Sequence, residues 1–246
     1  MNRPNDTYNH FARVYDAAMD DPRPKSARVI SLVQRYHPGA SSLLELGCGT
    51  GAMLVGLGGI GRLTGIDRSP QMLEIAAAKA PAARLIEGDI SAFDLGERFD
   101  VVICVFDTLN HLTRFEQWQA LFACTRAHLH DGGLFVFDVN TVEKLRDIAQ
   151  FAPWSTQIGA TTVIQNVEPP LDGLSIWNVW IVEQDADGSY IGHHERIGEL
   201  GVELPQIEAA LDTAGFTVLE RRDETGAPPT EGSDRVHFAA RRRAPA

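Results

Sequence analysis

The 246 residues fit one large domain or a core with an added subdomain, and a hydrophobic content of 44 % is ample for a buried core. A formal net charge of −11 and a pI near 5.1, with no basic block beyond Arg241, Arg242 and Arg243, argue against a nucleic-acid partner, which requires a concentrated positive field. The three cysteines, Cys48, Cys104 and Cys124, are scattered and odd in number, which predicts reduced thiols and a cytoplasmic protein rather than a disulfide framework.

In chain order, the N-terminal stretch has no apolar signal core. No later run approaches the roughly 20 apolar residues that span a bilayer, so no membrane partner is expected. Tyr8, Phe11 and Tyr15 stand at helical spacing, which fits either an amphipathic helix seated on the core or a helical lid. Apolar runs at 42–47 (SLLELG), 62–67 (RLTGID), 83–88 (ARLIEG), 99–106 (FDVVICVF) and 132–139 (GGLFVFDV) predict five strands, rich in Val, Ile, Leu and Phe as doubly covered strands are. Residues 69–80 read as a helix with Ser69 as its cap and Pro70 at the first helical position. Residues 113–129 place Phe115, Trp118, Leu121, Phe122 and Thr125 on one helical face, and Asp131-Gly132-Gly133 is expected to end that helix. This alternation predicts an α/β fold with a parallel sheet covered by helices.

Beyond residue 150 the pattern changes. Residues 161–198 alternate at period two, with turn signals at 169–173 (PPLDG) and 185–189 (DADGS), which predicts an antiparallel excursion packed over the mouth of the sheet. Helix 204–215, strand 216–224 and strand 235–243 then complete the open sheet. Trp177 and Trp180, three apart on one strand, point to opposite faces, so at most one lines a pocket. His193 shares a face with Glu195 and His194 with Arg196; adjacent histidines on opposite faces do not readily share a metal, so no metal site is expected.

Functional signals concentrate at 43–54 (LLELGCGTGAML). Gly47, Gly49 and Gly51 alternate directly after the first strand, more glycine than a bare turn needs, which points to close approach by a ligand. A nicotinamide fingerprint is G-x-G-x-x-G around a pyrophosphate, whereas this loop is G-x-G-x-G behind a carboxylate. Glu45 instead suits a ligand with a positive amino group. Asp67 ends the second strand, where its two oxygens suit the hydroxyls of a ribose, and Asp89, after the third, is placed to accept from an adenine amino group beside Ile90. His111, after the fourth strand, is the best-placed general base, with Asp107 four residues earlier as an orienting partner.

These motifs, from FARVYD through LLELGCGTG, LTGIDRSPQML, LIEGDISAFDLGERFDVVICVFDTLNHL and GGLFVFDVNT to AALDTAGFTVLERRD, resemble the class I methyltransferases that use S-adenosylmethionine (SAM). The resemblance implies a Rossmann-like seven-stranded, mostly parallel sheet with an antiparallel last strand and an antiparallel β insertion as a lid over the active site. It implies a SAM-binding core with an N-terminal helical lid over 1–150, a substrate lid over 151–200 and completion of the core sheet over 201–246. Gly47, Cys48, Gly49 and Gly51 would then line the methionine part above Glu45. Asp67 would take the ribose, Arg68, Met72, Asp89 and Ile90 the adenine, and Val105 or Phe106 a carbonyl contact to the ammonium.

Within that superfamily the chain is similar to the small-molecule, natural-product branch, amino-sugar N-methyltransferases in particular. That similarity implies a small-molecule acceptor, with an amine nitrogen as the methylated atom. Tyr8, Tyr15 and His111 are the catalytic candidates, Tyr15 also touching SAM. Tyr8, Phe11, Asp107, Asn110, Trp177, Trp180, His194 and Arg196 are the acceptor-binding candidates. Alternatives are a small-molecule O-methyltransferase or a SAM-binding protein with other chemistry. A homo-oligomer is compatible with the sequence.

Overall fold

The computed structural model describes residues 8, 10–19, 21–185 and 187–244. A 3-10 turn at Phe11–Arg13 and the one-turn helix α1 (Tyr15–Ala18) precede α2 (Arg23–Tyr36). The core then alternates: β1 (Ser42–Leu46), α3 (Ala52–Gly56), β2 (Arg62–Asp67), α4 (Pro70–Lys79), β3 (Arg84–Glu87), β4 (Phe99–Cys104), α5 (Phe115–Ala127), β5 (Leu129–Asn140) and α6 (Val142–Ile148). Four antiparallel strands follow, β6 (Trp154–Ile158), β7 (Thr161–Leu171), β8 (Leu174–Gln184) and β9 (Tyr190–Leu200), before α7 (Leu204–Thr213), β10 (Phe216–Asp223) and β11 (Arg235–Arg242).

The seven-stranded sheet runs β10-β11-β5-β4-β1-β2-β3, with β11 antiparallel to both neighbours and the other pairings parallel. The expected sheet and its antiparallel last strand are therefore present. Its two faces bury separate apolar layers. One holds Phe99, Trp118, Phe122, Phe135, Phe137, Phe216 and Phe238, and the other Leu43, Leu54, Val101, Ile103 and Val136. Strand order reverses between β1 and β4, which opens a crevice at their carboxyl ends. Ser69 caps α4 as expected, its Oγ accepting from Met72 N. All three cysteines are free thiols. Among the described residues no helix is long and apolar enough to cross a membrane.

Three elements differ from the sequence expectation. Helix α5 ends at Ala127, and Asp131-Gly132-Gly133 lies inside β5, because Leu129 already pairs with Phe99 while Val101 pairs with Leu134, leaving the glycine segment as a bulge. Residues 8–15 do not form one helix. The amides of His10 and Phe11 donate to Glu195 Oε1 at 2.7 and 3.3 Å, which fixes a tighter turn over the second sheet. Strand β6 was not foreseen, since its mostly exposed residues carry no apolar alternation.

Asn110 clamps the two sheets together. Fully buried in the 3-10 turn Thr108–His111, its Nδ2 donates to Asn140 O (3.0 Å) and Leu200 O (2.9 Å), and its Oδ1 accepts from Asn140 N (2.9 Å). Replacement by alanine strands three buried backbone groups, so Asn110→Ala is expected to lower the unfolding free energy by about 3 kcal/mol in a urea titration.

Candidate active site

At the mouth of the crevice, β1 delivers Glu45, 3 % exposed, directly beneath the loop that follows it. The loop is pinned by Gly47 N and Cys48 N, which both donate to Ile66 O at 2.8 and 3.0 Å. Asp67 grips it from β2, its Oδ2 accepting from Gly49 N (2.8 Å) and its Oδ1 from Ser69 N (2.9 Å). Gly47, Gly49 and Gly51 all have φ between 50° and 75°, which side-chain-bearing residues rarely adopt. Beyond that their reasons diverge. A Cβ on Gly47 would strike Thr108 at 2.3 Å and one on Gly51 would press on Ala76 at 3.0 Å, so these two serve packing; only at Gly49 does the missing Cβ leave open space. Gly47 and Gly49 both border the cavities over the loop, where close ligand approach is expected.

Two cavities meet over this loop. The first is bounded by Glu45, Cys48, Gly49, Met53, Val105 and Phe106, the second by Asp67, Arg68, Met72, Asp89, Ile90 and His111; Gly51 lines neither. Asp89 also closes a local turn, its Oδ1 accepting from Ser91 N and Oγ at 2.8 and 2.7 Å. Burial, then the Asp67 carboxylate, pushes Glu45 well above the usual carboxylate range, and its Oε2 has no hydrogen-bond partner among the described residues. The N-terminal segment is latched across the loop by Asp16, which accepts from Thr50 Oγ1 at 2.6 Å and pairs with Lys79.

A third cavity lies between the crevice and the antiparallel sheet, walled by Tyr8, Phe11, Trp177, Val179 and Ile197 and floored by Asp107, His111, Glu199 and Arg235. Tyr15 lines all three cavities. Burial, then Asp107, raises the Tyr15 pKa, so its phenol stays a proton donor. His111 Nδ1 stands 3.2 Å from Gly198 O, an acceptor only, so Nδ1 is assigned the proton; Nε2 then presents its lone pair to the Tyr8 hydroxyl at 3.1 Å.

Five acceptor-side expectations require correction. Asp107 does not orient His111, from which it stands 3.9 Å away, because its Oδ1 is held by Arg235 at 2.7 Å. Asn110 is spent on the clamp between the sheets and lines none of the three cavities. Trp180, His194 and Arg196 lie on the outer face of the second sheet, where Trp180 stacks on His194 and Arg196 pairs with Glu168, whereas Trp177 reaches the cavity from the inner face. Glu199 and Arg235 were missed. Period-two reading places Glu195, Ile197 and Glu199 on one face of β9, but nothing local marks that face as inward.

A family model described as a methyltransferase domain matches residues 43–133. A methyltransferase-named protein of Geobacillus sp. (strain WCH70) is 32 % identical over 96 % of this chain and 100 % of its own. The chain belongs to the class I SAM-dependent methyltransferases. A Streptomyces fradiae protein named dTDP-3-amino-3,6-dideoxy-alpha-D-glucopyranose N,N-dimethyltransferase is 30 % identical over 87 % of this chain and 86 % of its own. The SAM-bound amino pentose methyltransferase of Micromonospora echinaspora has the same fold, with a TM-score of 0.77 at 24 % identity over 98 % of this chain and 100 % of that one.

The residues of this methyltransferase fit SAM. The orphaned Glu45 Oε2 suits a cationic amino group, the missing Cβ of Gly49 leaves room beside it, and the second cavity supplies a carboxylate and apolar surface for a nucleoside. Asp67→Ala removes that carboxylate and releases the Gly49 amide. Calorimetric titration is expected to show SAM binding weakened about 10- to 100-fold, the worth of one or two charge-assisted hydrogen bonds.

Proposed function

We propose that this methyltransferase acts on the amine nitrogen of a small, hydroxylated acceptor of amino-sugar type. The observation that carries the reading is the third cavity, where Glu199 lies beside the Asp107–Arg235 pair between aromatic walls, with Lys144 also on the lining, and which joins the glycine-loop cavities through Tyr15. The Glu199 carboxylate favours a cationic amine and opposes the anionic oxygen that an O-methyl acceptor must develop. The Streptomyces fradiae relative, named as an amino-sugar N,N-dimethyltransferase, supports the same class.

In this reading Glu45, Gly47, Cys48, Gly49, Val105 and Phe106 hold the methionine end of SAM, Asp67 the ribose, and Arg68, Met72, Asp89 and Ile90 the adenine. When bound, SAM supplies a methyl already activated on a sulfonium, so the protein's task is alignment and proton removal. The Tyr15 phenol, a fixed donor at the junction of the cavities, orients the two reactants. His111 is the base. Its Nε2 lone pair, shared with the Tyr8 hydroxyl, receives the proton that an ammonium must lose before it attacks. The antiparallel sheet serves as the lid that keeps water from the transfer.

His111→Asn is expected to lower kcat about 10²- to 10⁴-fold and Tyr8→Phe by about tenfold, with SAM affinity retained. The assay is mass spectrometry of amino sugars incubated with enzyme and SAM, read as a gain of one methyl per turnover. Methylation of neutral sugars in preference to their amino counterparts would overturn the reading.

A further inference from the structure

We infer that Glu199 is the amine-recognition residue of this enzyme, its carboxylate seating the positive charge of the acceptor beside Asp107 and His111. The inference rests on the amine reading above and adds a residue to it.

Glu199 stands on the inner face of the lid sheet, opposite Ser175 of β8, is 4 % exposed, and lines the acceptor cavity with Tyr8, Tyr15 and Trp177. It is oriented without being neutralised. Asn140 Nδ2 donates to its Oε2 at 2.9 Å, and His111 and Arg235 act on it only through space, without a direct ion pair. One donor atom each from Asp107, His111 and Glu199 lie within 4.8 Å of one another, so a single cationic group reaches all three.

The local charge balance points the same way. Three buried carboxylates, Asp107, Asp138 and Glu199, face one guanidinium, that of Arg235, at 2.7 Å from Asp107 and 2.8 Å from Asp138, with Lys25 acting on Asp138 as a second cation. His237 adds no charge at neutral pH, since burial pushes its pKa down to about 4. With all three carboxylates ionised the two cations leave one negative charge over, and an acceptor ammonium beside Glu199 would balance it; short of that, Arg235 and His111 act on Glu199 from longer range. Burial, then Asp107, pushes Glu199 up to about 7, so an arriving cation favours its ionised form. A metal ion is the less fitting occupant, because the Arg235 guanidinium already holds one Asp107 oxygen.

The experiment compares wild type with the near-isosteric Glu199→Gln on an amine that wild type methylates, reading KM, kcat and SAM affinity separately. Expected are a KM for the amine about 10- to 100-fold higher, a smaller fall in kcat, and an unchanged SAM Kd. Asp107 and His111 after β4, Arg235 on β11, Lys144 on α6, and Tyr8 and Tyr15 of the N-terminal segment also face this cavity. The split between KM and kcat, and not a pH limb that His111 as base would share, therefore carries the test. An unchanged KM would make Glu199 structural, and a weaker SAM Kd with unchanged KM would make it a cofactor contact; either overturns the inference while leaving amine methylation intact. Should the variant not fold, wild type alone decides: a hydroxyl analogue that inhibits as tightly as the amine binds at pH 8 overturns it. If wild type methylates no amine, the proposed function fails and this inference falls with it.

Discussion

The Asp138 carboxylate is the interaction on which the rest of the site depends. Fully buried at the carboxyl end of β5, it accepts from the amides of Phe106 and Asp107 at 3.2 and 2.7 Å and from Arg235 Nη1 at 2.8 Å. Phe106 and Asp107 have φ of 61° and 51°, a left-handed pair costing on the order of 1–3 kcal/mol per residue unless the surroundings enforce it. Asp138 enforces it, and the turn aims Phe106 at the cofactor cavities and Asp107 at the acceptor cavity. Burial by itself would raise the Asp138 pKa, but Arg235, followed by Lys25, holds it below the ordinary range, so the anion persists at neutral pH. Lys25 also stands over the Phe106 ring at 3.5 Å, tying α2 to the same turn.

From that turn the molecule builds outward in two directions. Toward β1 and β2 it meets the glycine loop, where Thr108 packs against Gly47 and Asp67 grips Gly49. Toward the lid it meets Asn110 and His111, which join the core to Leu200 and Gly198 of β9. The N-terminal segment closes the remaining side, held by Glu195 at one end and by the Asp16 latch at the other. Tyr15 lies on that segment between these two ties, which is why one phenol borders every cavity. The enclosure matters for methyl transfer, because excluding water strengthens each electrostatic contact and keeps the reactants aligned.

Electrostatics divide the site between two acidic pairs. Glu45 and Asp67 border the two cavities over the glycine loop, and burial raises both. Asp107 and Glu199 border the third cavity, where Arg235 pairs with Asp107 directly and reaches Glu199 only through space. The net charge of −11 says nothing about this division. Only the placement of individual carboxylates distinguishes a charged site from a merely acidic surface.

Much of the core was legible in the residues themselves. Strands β1, β2 and β4 announced themselves by apolar runs, Ser69 and Pro70 marked the start of α4, and the alternating glycines marked the ligand loop, because each of these signals is local and acts through backbone conformation or burial. Period two also divided Trp177 from Trp180 and His193 from His194. Period two does not say which face of the second sheet turns inward, so it separates Trp180, His194 and Arg196 from Trp177 and Glu199 without saying which set meets the cavity. The grouping of Asp107, His111, Glu199 and Arg235 likewise had no local signal. Those side chains come from a loop, a strand of the second sheet and the last strand, and only packing of that sheet on the core decides that they share one cavity.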